Sequence, residues 1–179
     1  MVKYKHPLSE NNRDTVISIL KKRPELIDYL RINNLEDFFS ELYFYSDNAI
    51  SSIVQFLYES DVDVLSYIDY IPKCAFIYKP LEAEFIVPGQ IKKIDKYAFM
   101  NSSIKSLKFE EGSQLIAIEG FAFYSSDLVG DIYLPDSLES LYLSAFEYTK
   151  VKTISLPSSC VIKDYSDSKD KVVATLVIR

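Results

Sequence analysis

Few residues of this chain have the chemistry to attack a bond, carry a proton or hold an ion, and their spacing gathers none of them into a set. His6 is the single histidine. Histidine titrates near neutral pH and serves as a general base, but this one lies near the start of the chain, where an exposed side chain is expected. Cys74 and Cys160 are the two cysteines. They lie far apart, with no histidine or carboxylate at zinc-ligand spacing, so buried free thiols in a reducing compartment are expected. Glu110-Glu111 is an acidic pair between two apolar runs and reads as a solvated turn. Asp61-x-Asp63 has the opening spacing of a calcium loop but none of its later ligands, so helix capping accounts for it better. With four glycines in all, there is neither a phosphate loop nor a dinucleotide fingerprint. The chain is expected not to be an enzyme and to use no metal or cofactor.

Charge points away from nucleic acid. The net charge is −6, and 20 basic residues face 26 acidic ones. A phosphate-binding surface needs a net basic patch. Lys92, Lys93, Lys96, Lys105 and Lys108 gather in one stretch, and a solvated face is the simpler reading. No apolar run approaches 18 residues, so no membrane-spanning helix is expected. The opening MVKYKHPLSENNRD has no apolar core behind its basic residues. A cytoplasmic location is therefore expected.

The strongest signal is a repeat that must position whatever the chain presents. Ala-Phe occurs at Ala75-Phe76, Ala98-Phe99, Ala122-Phe123 and Ala145-Phe146, at intervals of 23, 24 and 23 residues. Leu81, Ile104, Leu128 and Val151 keep the same beat. Each is followed by an apolar pair that skips one residue: Phe85 and Val87, Leu107 and Phe109, Ile132 and Leu134, Ile154 and Leu156. That is the period of a strand with one buried face. A second apolar run follows in three units: Ile91 with Ile94, Leu115 with Ile118, Leu138 with Leu141. Pro88, Pro135 and Pro157 end the first strand, because proline has no N–H to give a ladder. In the second unit Glu110-Glu111-Gly112-Ser113 makes a longer turn instead. A fixed period of this length marks a solenoid whose units bury a core only by stacking.

These residues resemble the BspA-like, or Treponema-type, leucine-rich repeat, whose units read roughly L-x-x-I-x-L-P-x-x-L-x-x-I-x-x-x-A-F. Residues 128–146, LVGDIYLPDSLESLYLSAF, fit it best. The chain departs from the pattern where a cysteine often follows Ala-Phe: Met100, Tyr124 and Glu147 stand there. Gly120 is the one clear remnant of the usual glycine before Ala-Phe. The resemblance covers residues 73–179 and implies about four repeats, the last degenerate after Val161.

Residues 1–72 carry no copy of the repeat and read as short helices. Val16, Ile17, Ile19 and Leu20 share one side, Pro24 opens a second segment, and Asn34 caps a third running to Tyr45. A fourth runs through Ile50, Ile53, Val54 and Leu57, and Pro72 ends a last turn through Leu65 and Ile68. The expected fold class is α+β: a small N-terminal helical domain, 1–72, followed by a short leucine-rich-repeat solenoid with a parallel sheet, 73–179. The helical segment would cap one solenoid end, and the β-branched run KVVATLVIR would close the other.

A second resemblance concerns origin. ISSIVQFLYESDVDVLSYIDYIPKCAF is similar to short bacteriophage leucine-rich-repeat proteins, whose leader ends in a phrase like DPLxYLxxIPxxAF. The matching residues are Asp63, Leu65, Tyr67, Ile68, Tyr70, Ile71, Pro72, Ala75 and Phe76, with Asp63-Val64 in place of Asp-Pro. It implies a phage protein in the host cytoplasm that binds and inhibits a host protein such as a defence enzyme.

The register places Glu84, Ser106, Asp131 and Thr153 in one outward strand column and Ile86, Lys108, Tyr133 and Ser155 in the next. These vary while the inward columns stay apolar, so they form the expected protein-binding face. A non-catalytic protein–protein interaction module is the primary reading, with another protein as partner and neither membrane nor direct nucleic-acid contact. The alternative is a structural or self-assembling component, such as a virion-associated one, that forms homo-oligomers. An acidic mimic of nucleic acid comes third.

Overall fold

The structure is a computed structural model and describes Val54, Tyr58, Leu65, residues 68–163 and residues 174–179. Each repeat folds as one turn of a coil with a strand on either side of a shared core. The strands are β1 (Tyr70–Ile71), β2 (Glu84–Val87), β3 (Lys93–Ile94), β4 (Ser106–Phe109), β5 (Ala117–Ile118), β6 (Val129–Tyr133), β7 (Ser140–Tyr142), β8 (Lys150–Leu156), β9 (Val161–Lys163) and β10 (Thr175–Ile178). Successive strands belong to opposite sides, so each pairs with the strand one turn away. All seven pairings are parallel. The odd-numbered strands form one five-stranded sheet, β1-β3-β5-β7-β9, built on the second apolar run of each unit. The even-numbered strands form two sheets, β2-β4 and β6-β8-β10.

The expected α+β class is corrected here. The described residues form a parallel β-solenoid of about four turns, with one four-residue 3-10 turn, Leu143–Phe146, and no helix of seven or more residues. Turns this short leave no room for a helix, and Ala-Phe builds a tight corner in its place. Of the segment 1–72 expected to be helical, the structure describes Val54, Tyr58, Leu65 and residues 68–72, and Tyr70–Ile71 there form β1, the first strand of the five-stranded sheet, and not a helix. The single expected parallel sheet becomes three.

The Ala-Phe corner explains why the repeat is so regular. Phe76, Phe99, Phe123 and Phe146 are buried and stack with ring centroids 5.2, 5.1 and 5.3 Å apart. Aromatic pairs at such offsets gain about 0.5–1.5 kcal/mol beyond the area they bury. The backbone is tied in the same direction: Phe76 N–H donates to Ala98 O at 2.7 Å, Phe99 N–H to Ala122 O at 2.7 Å and Phe123 N–H to Ala145 O at 2.9 Å. Such ladder bonds satisfy polar groups that burial would otherwise orphan. The corner is entered and left through left-handed residues: Cys74, Tyr97 and Phe121 before the alanine, and Tyr78, Asn101, Ser125 and Tyr148 two places after the phenylalanine. None is glycine, and a left-handed conformation costs an ordinary residue roughly 1–2 kcal/mol. The bonds Tyr78 N–H to Met100 O and Ser125 N–H to Glu147 O, both 2.9 Å, hold two of these positions in place.

The core runs unbroken from Val54, Leu65 and Ile68 at one end to Ile154 and Leu156 at the other. Tyr58 packs edge-on against Phe76 at 5.0 Å, and the Gln90 side-chain amide donates to Leu65 O at 2.6 Å. Tyr58 and Leu65 thus cover the first rung. At the opposite end β10 adds a further rung to β8, with Val161, Val177 and Ile178 exposed. The core also holds three buried serine hydroxyls without a partner among the described residues: Ser102, Ser126 and Ser144. An unpaired buried hydroxyl costs stability. We expect Ser144→Ala to raise the denaturation midpoint by the equivalent of about 1 kcal/mol. A lower midpoint would show that the hydroxyl has a partner in solution.

Candidate functional site: a split strand face

The eight residues of the expected binding face fall on the even-numbered strands in the expected register. Glu84 pairs with Ser106 and Ile86 with Lys108 across β2 and β4. Asp131 pairs with Thr153 and Tyr133 with Ser155 across β6 and β8. Glu84, Ile86, Lys108, Asp131 and Tyr133 are exposed, and Ser106 and Thr153 are half-buried. Ser155 is the exception at 3% exposure. It stands between Tyr133 and Val177 in the register, and a small side chain flanked by two larger ones has little left to present. Ser155 is therefore corrected from an outward contact to a buried position.

The face is not the continuous surface the repeat implies. β4 and β6 belong to different sheets. They start together, where Val129 N–H donates to Lys105 O at 3.0 Å. Then Gly130 takes φ +78°, and the register between β6 and β8 shifts at Gly130/Asp131. A left-handed glycine within a strand bends the chain and breaks pairing. Gly112, at φ +74°, shapes the longer turn after β4. An open groove of about 710 Å³ lies along the resulting seam. Its walls include Ser106, Lys108, Phe109, Asp131, Tyr133 and Arg179.

Polar contacts fix much of the rim. Lys108 Nζ lies 2.6 Å from Glu84 Oε2, and Arg179 Nη1 lies 3.0 Å from Asp136 Oδ1. The Arg179 guanidinium also donates to Leu134 O, across 45 positions of sequence. Glu110 is more than a solvated turn residue: its carboxylate accepts from Gly89 N–H at 2.8 Å. The lysine cluster does not form one basic face. Lys92 and Lys93 lie at the odd-numbered sheet, near Asp69 (3.6 Å) and near Asp95 (3.5 Å) and Glu119 (3.7 Å) respectively, whereas Lys108 is on β4.

Arg179 and the seam itself were not legible as site features from the repeat. The signals that bear on the seam are the one-residue lengthening to 24 and a glycine inside a strand pattern. A line of aromatic rings also runs along the corner: Tyr97 stacks on Phe121 at 5.4 Å, Phe121 meets Tyr124 edge-on at 5.7 Å, and Tyr124 meets Tyr148 at 5.1 Å.

Both cysteine thiols are shifted away from their reactive form. Burial pushes the thiol of Cys74 up, with Asp95 adding to the rise and Lys73 opposing it, and burial pushes Cys160 up as well. A raised thiol pKa leaves less thiolate, the nucleophilic form. His6 and Asp61-x-Asp63 lie outside the described residues. Among the described residues no group of three or more His, Cys, Asp or Glu is placed to hold a metal ion, and no helix is long and apolar enough to cross a membrane.

A leucine-rich-repeat structure from Eubacterium ventriosum is 21% identical, with a TM-score of 0.52, covering 64% of this chain and 30% of that one. It shares the fold. The pneumococcal vaccine antigen PcpA is 27% identical with a TM-score of 0.47, covering 63% of this chain and 36% of that one. The chain thus spans about a third of the length of each of these proteins. No curated protein matches the sequence. The comparisons do not show the resemblance to bacteriophage proteins. The family model for the BspA type leucine rich repeat region matches residues 58–169 in six copies, and the chain belongs to that family.

Proposed function

We propose that the chain is a non-catalytic protein-interaction module that binds its partner across the even-numbered strand face. The observation that supports this most is the contrast between frame and face. Phenylalanine stacking and backbone ladders fix the frame, while Glu84, Ile86, Lys108, Asp131 and Tyr133 differ from unit to unit and face solvent. Rigid display of varied side chains lowers the ordering cost of binding. Tyrosine adds contact area with a polar tip at little entropy cost. In this reading the segment before β1 serves as a cap, because Val54, Leu65 and Ile68 join the core at that end.

Capture with tagged protein, followed by binary binding of each retained protein in purified form, tests the reading. One retained protein that binds directly and competes with labelling of Tyr133 supports it. Direct binding that leaves Tyr133 labelling unchanged moves the interface elsewhere.

A self-assembling role is the second reading, and the exposed Val161, Val177 and Ile178 on the outer strands favour it. It requires a species larger than 20.6 kDa in sizing of the protein alone. A monomer at that mass removes it.

A further inference from the structure

We propose that the groove between β4 and β6 receives an extended polypeptide segment of the partner, with a lysine or arginine side chain seated at Asp131. This rests on the reading of the strand face as an interaction surface and names the kind of partner that fits it.

The backbone argues for an extended segment. Ser106 N–H donates to Ala83 O and Glu110 N–H to Val87 O. Backbone groups alternate sides along a strand, so those of Leu107 and Phe109 point toward the seam. On the other wall, Leu134 N–H donates to Ser155 O at 2.8 Å. By the same alternation the backbone groups of Asp131 and Tyr133 point toward the seam. No sheet ladder joins the two strands. The groove therefore runs between two strand edges, and strand edges recruit extended chains through their main-chain groups.

Charge argues for a basic side chain. Both cations of the walls are matched, Lys108 by Glu84 and Arg179 by Asp136. Of the remaining carboxylates, Glu110 accepts from Gly89 N–H. Asp131 is exposed and has no hydrogen bond or ion pair among the described residues. Glu110 and Asp131 thus both lack a cation among the described residues, and of the two only the Asp131 carboxylate also lacks a hydrogen-bond donor, which leaves it open to a partner's cation. Tyr133 is 69% exposed two residues along the same strand. Its ring offers a face for a cation, and half-buried Phe109 offers apolar surface for an alkyl stem.

A display library of random linear peptides about ten residues long, an extended-segment probe, tests this on the full chain. The best enriched peptide is then titrated by fluorescence anisotropy against the unaltered protein and Asp131→Asn, with unchanged thermal melting confirming that the variant folds. We expect enriched peptides to share a lysine or arginine. Asp131→Asn or replacement of that basic residue by glutamine should each weaken binding about tenfold. The two changes together should weaken it little more than either alone. Enrichment without a basic residue, failure to enrich any peptide, or equal binding by Asp131→Asn overturns the proposal. The broader reading is tested separately with a directly binding partner protein. If that partner is lost on altering Tyr133 and Lys108 but is indifferent to Asp131→Asn, the face stands as the interface and the basic-segment proposal fails alone.

Discussion

Phe123→Ala is expected to lower the stability of the chain by about 3–5 kcal/mol, the range for truncating a buried phenylalanine to alanine. Phe123 is fully buried and sandwiched, 5.1 Å from Phe99 and 5.3 Å from Phe146, with ring planes within 5° and 7° of parallel. Removing it leaves a void in the middle of the stack and breaks two ring contacts at once. The surroundings have little freedom to close that void. Phe123 N–H is tied to Ala145 O at 2.9 Å, Phe99 N–H to Ala122 O at 2.7 Å and Ser126 N–H to Phe123 O at 3.0 Å. A site that cannot collapse sits at the costly end of the range. Unfolding in denaturant, followed by circular dichroism, measures the change. Phe123→Leu should lose clearly less, since it keeps most of the volume. An unchanged midpoint for Phe123→Ala would contradict the stacking that defines the fold.

The stack was legible because its chemistry repeats. Ala-Phe at intervals of 23, 24 and 23 residues aligns four phenylalanines, and the inward pairs from Phe85 to Leu156 fall where alternation puts them, with Phe109 alone half-buried. The same alternation put Glu84, Ile86, Lys108, Asp131 and Tyr133 on the solvent side. It failed at Ser155, because alternation reports the direction of a side chain and not the size of its neighbours. It also failed to show that the even-numbered strands split. Continuity of a ladder depends on strand separation, and the left-handed Gly130 stands where β6 parts from β4. The second apolar run was visible as Ile91 with Ile94, Leu115 with Ile118 and Leu138 with Leu141. Strands of two or three residues such as β3, β5 and β7 are too short for a periodic signal to name. The left-handed corner was hidden for a different reason. Its positions hold cysteine, tyrosine, phenylalanine, asparagine and serine, where composition would have pointed to glycine. The α+β expectation came from helical periodicity before Pro72, and it does not extend to the solenoid, whose turns are too short to hold a helix.

The second large effect concerns binding. Lys108→Glu combined with Tyr133→Glu should cost a directly binding partner about 2–4 kcal/mol, roughly 30- to 1,000-fold in affinity. Tyr133 is the largest exposed side chain among the eight face residues, and exposed aromatics dominate interface energies. Lys108→Glu breaks the pair that fixes the opposite wall of the groove and sets a like charge beside Glu84, which displaces both side chains from the contact surface. Both side chains are well exposed, so folding should lose little: exposed ion pairs contribute about 0–1 kcal/mol.

The most direct measurement is therefore the affinity of one purified partner for the unaltered protein and for this double variant, with the melting temperature of both taken in the same buffer. The account predicts a loss of at least about 30-fold at a nearly unchanged melting temperature. Equal affinity for the two proteins would contradict it and remove the strand face as the site of recognition.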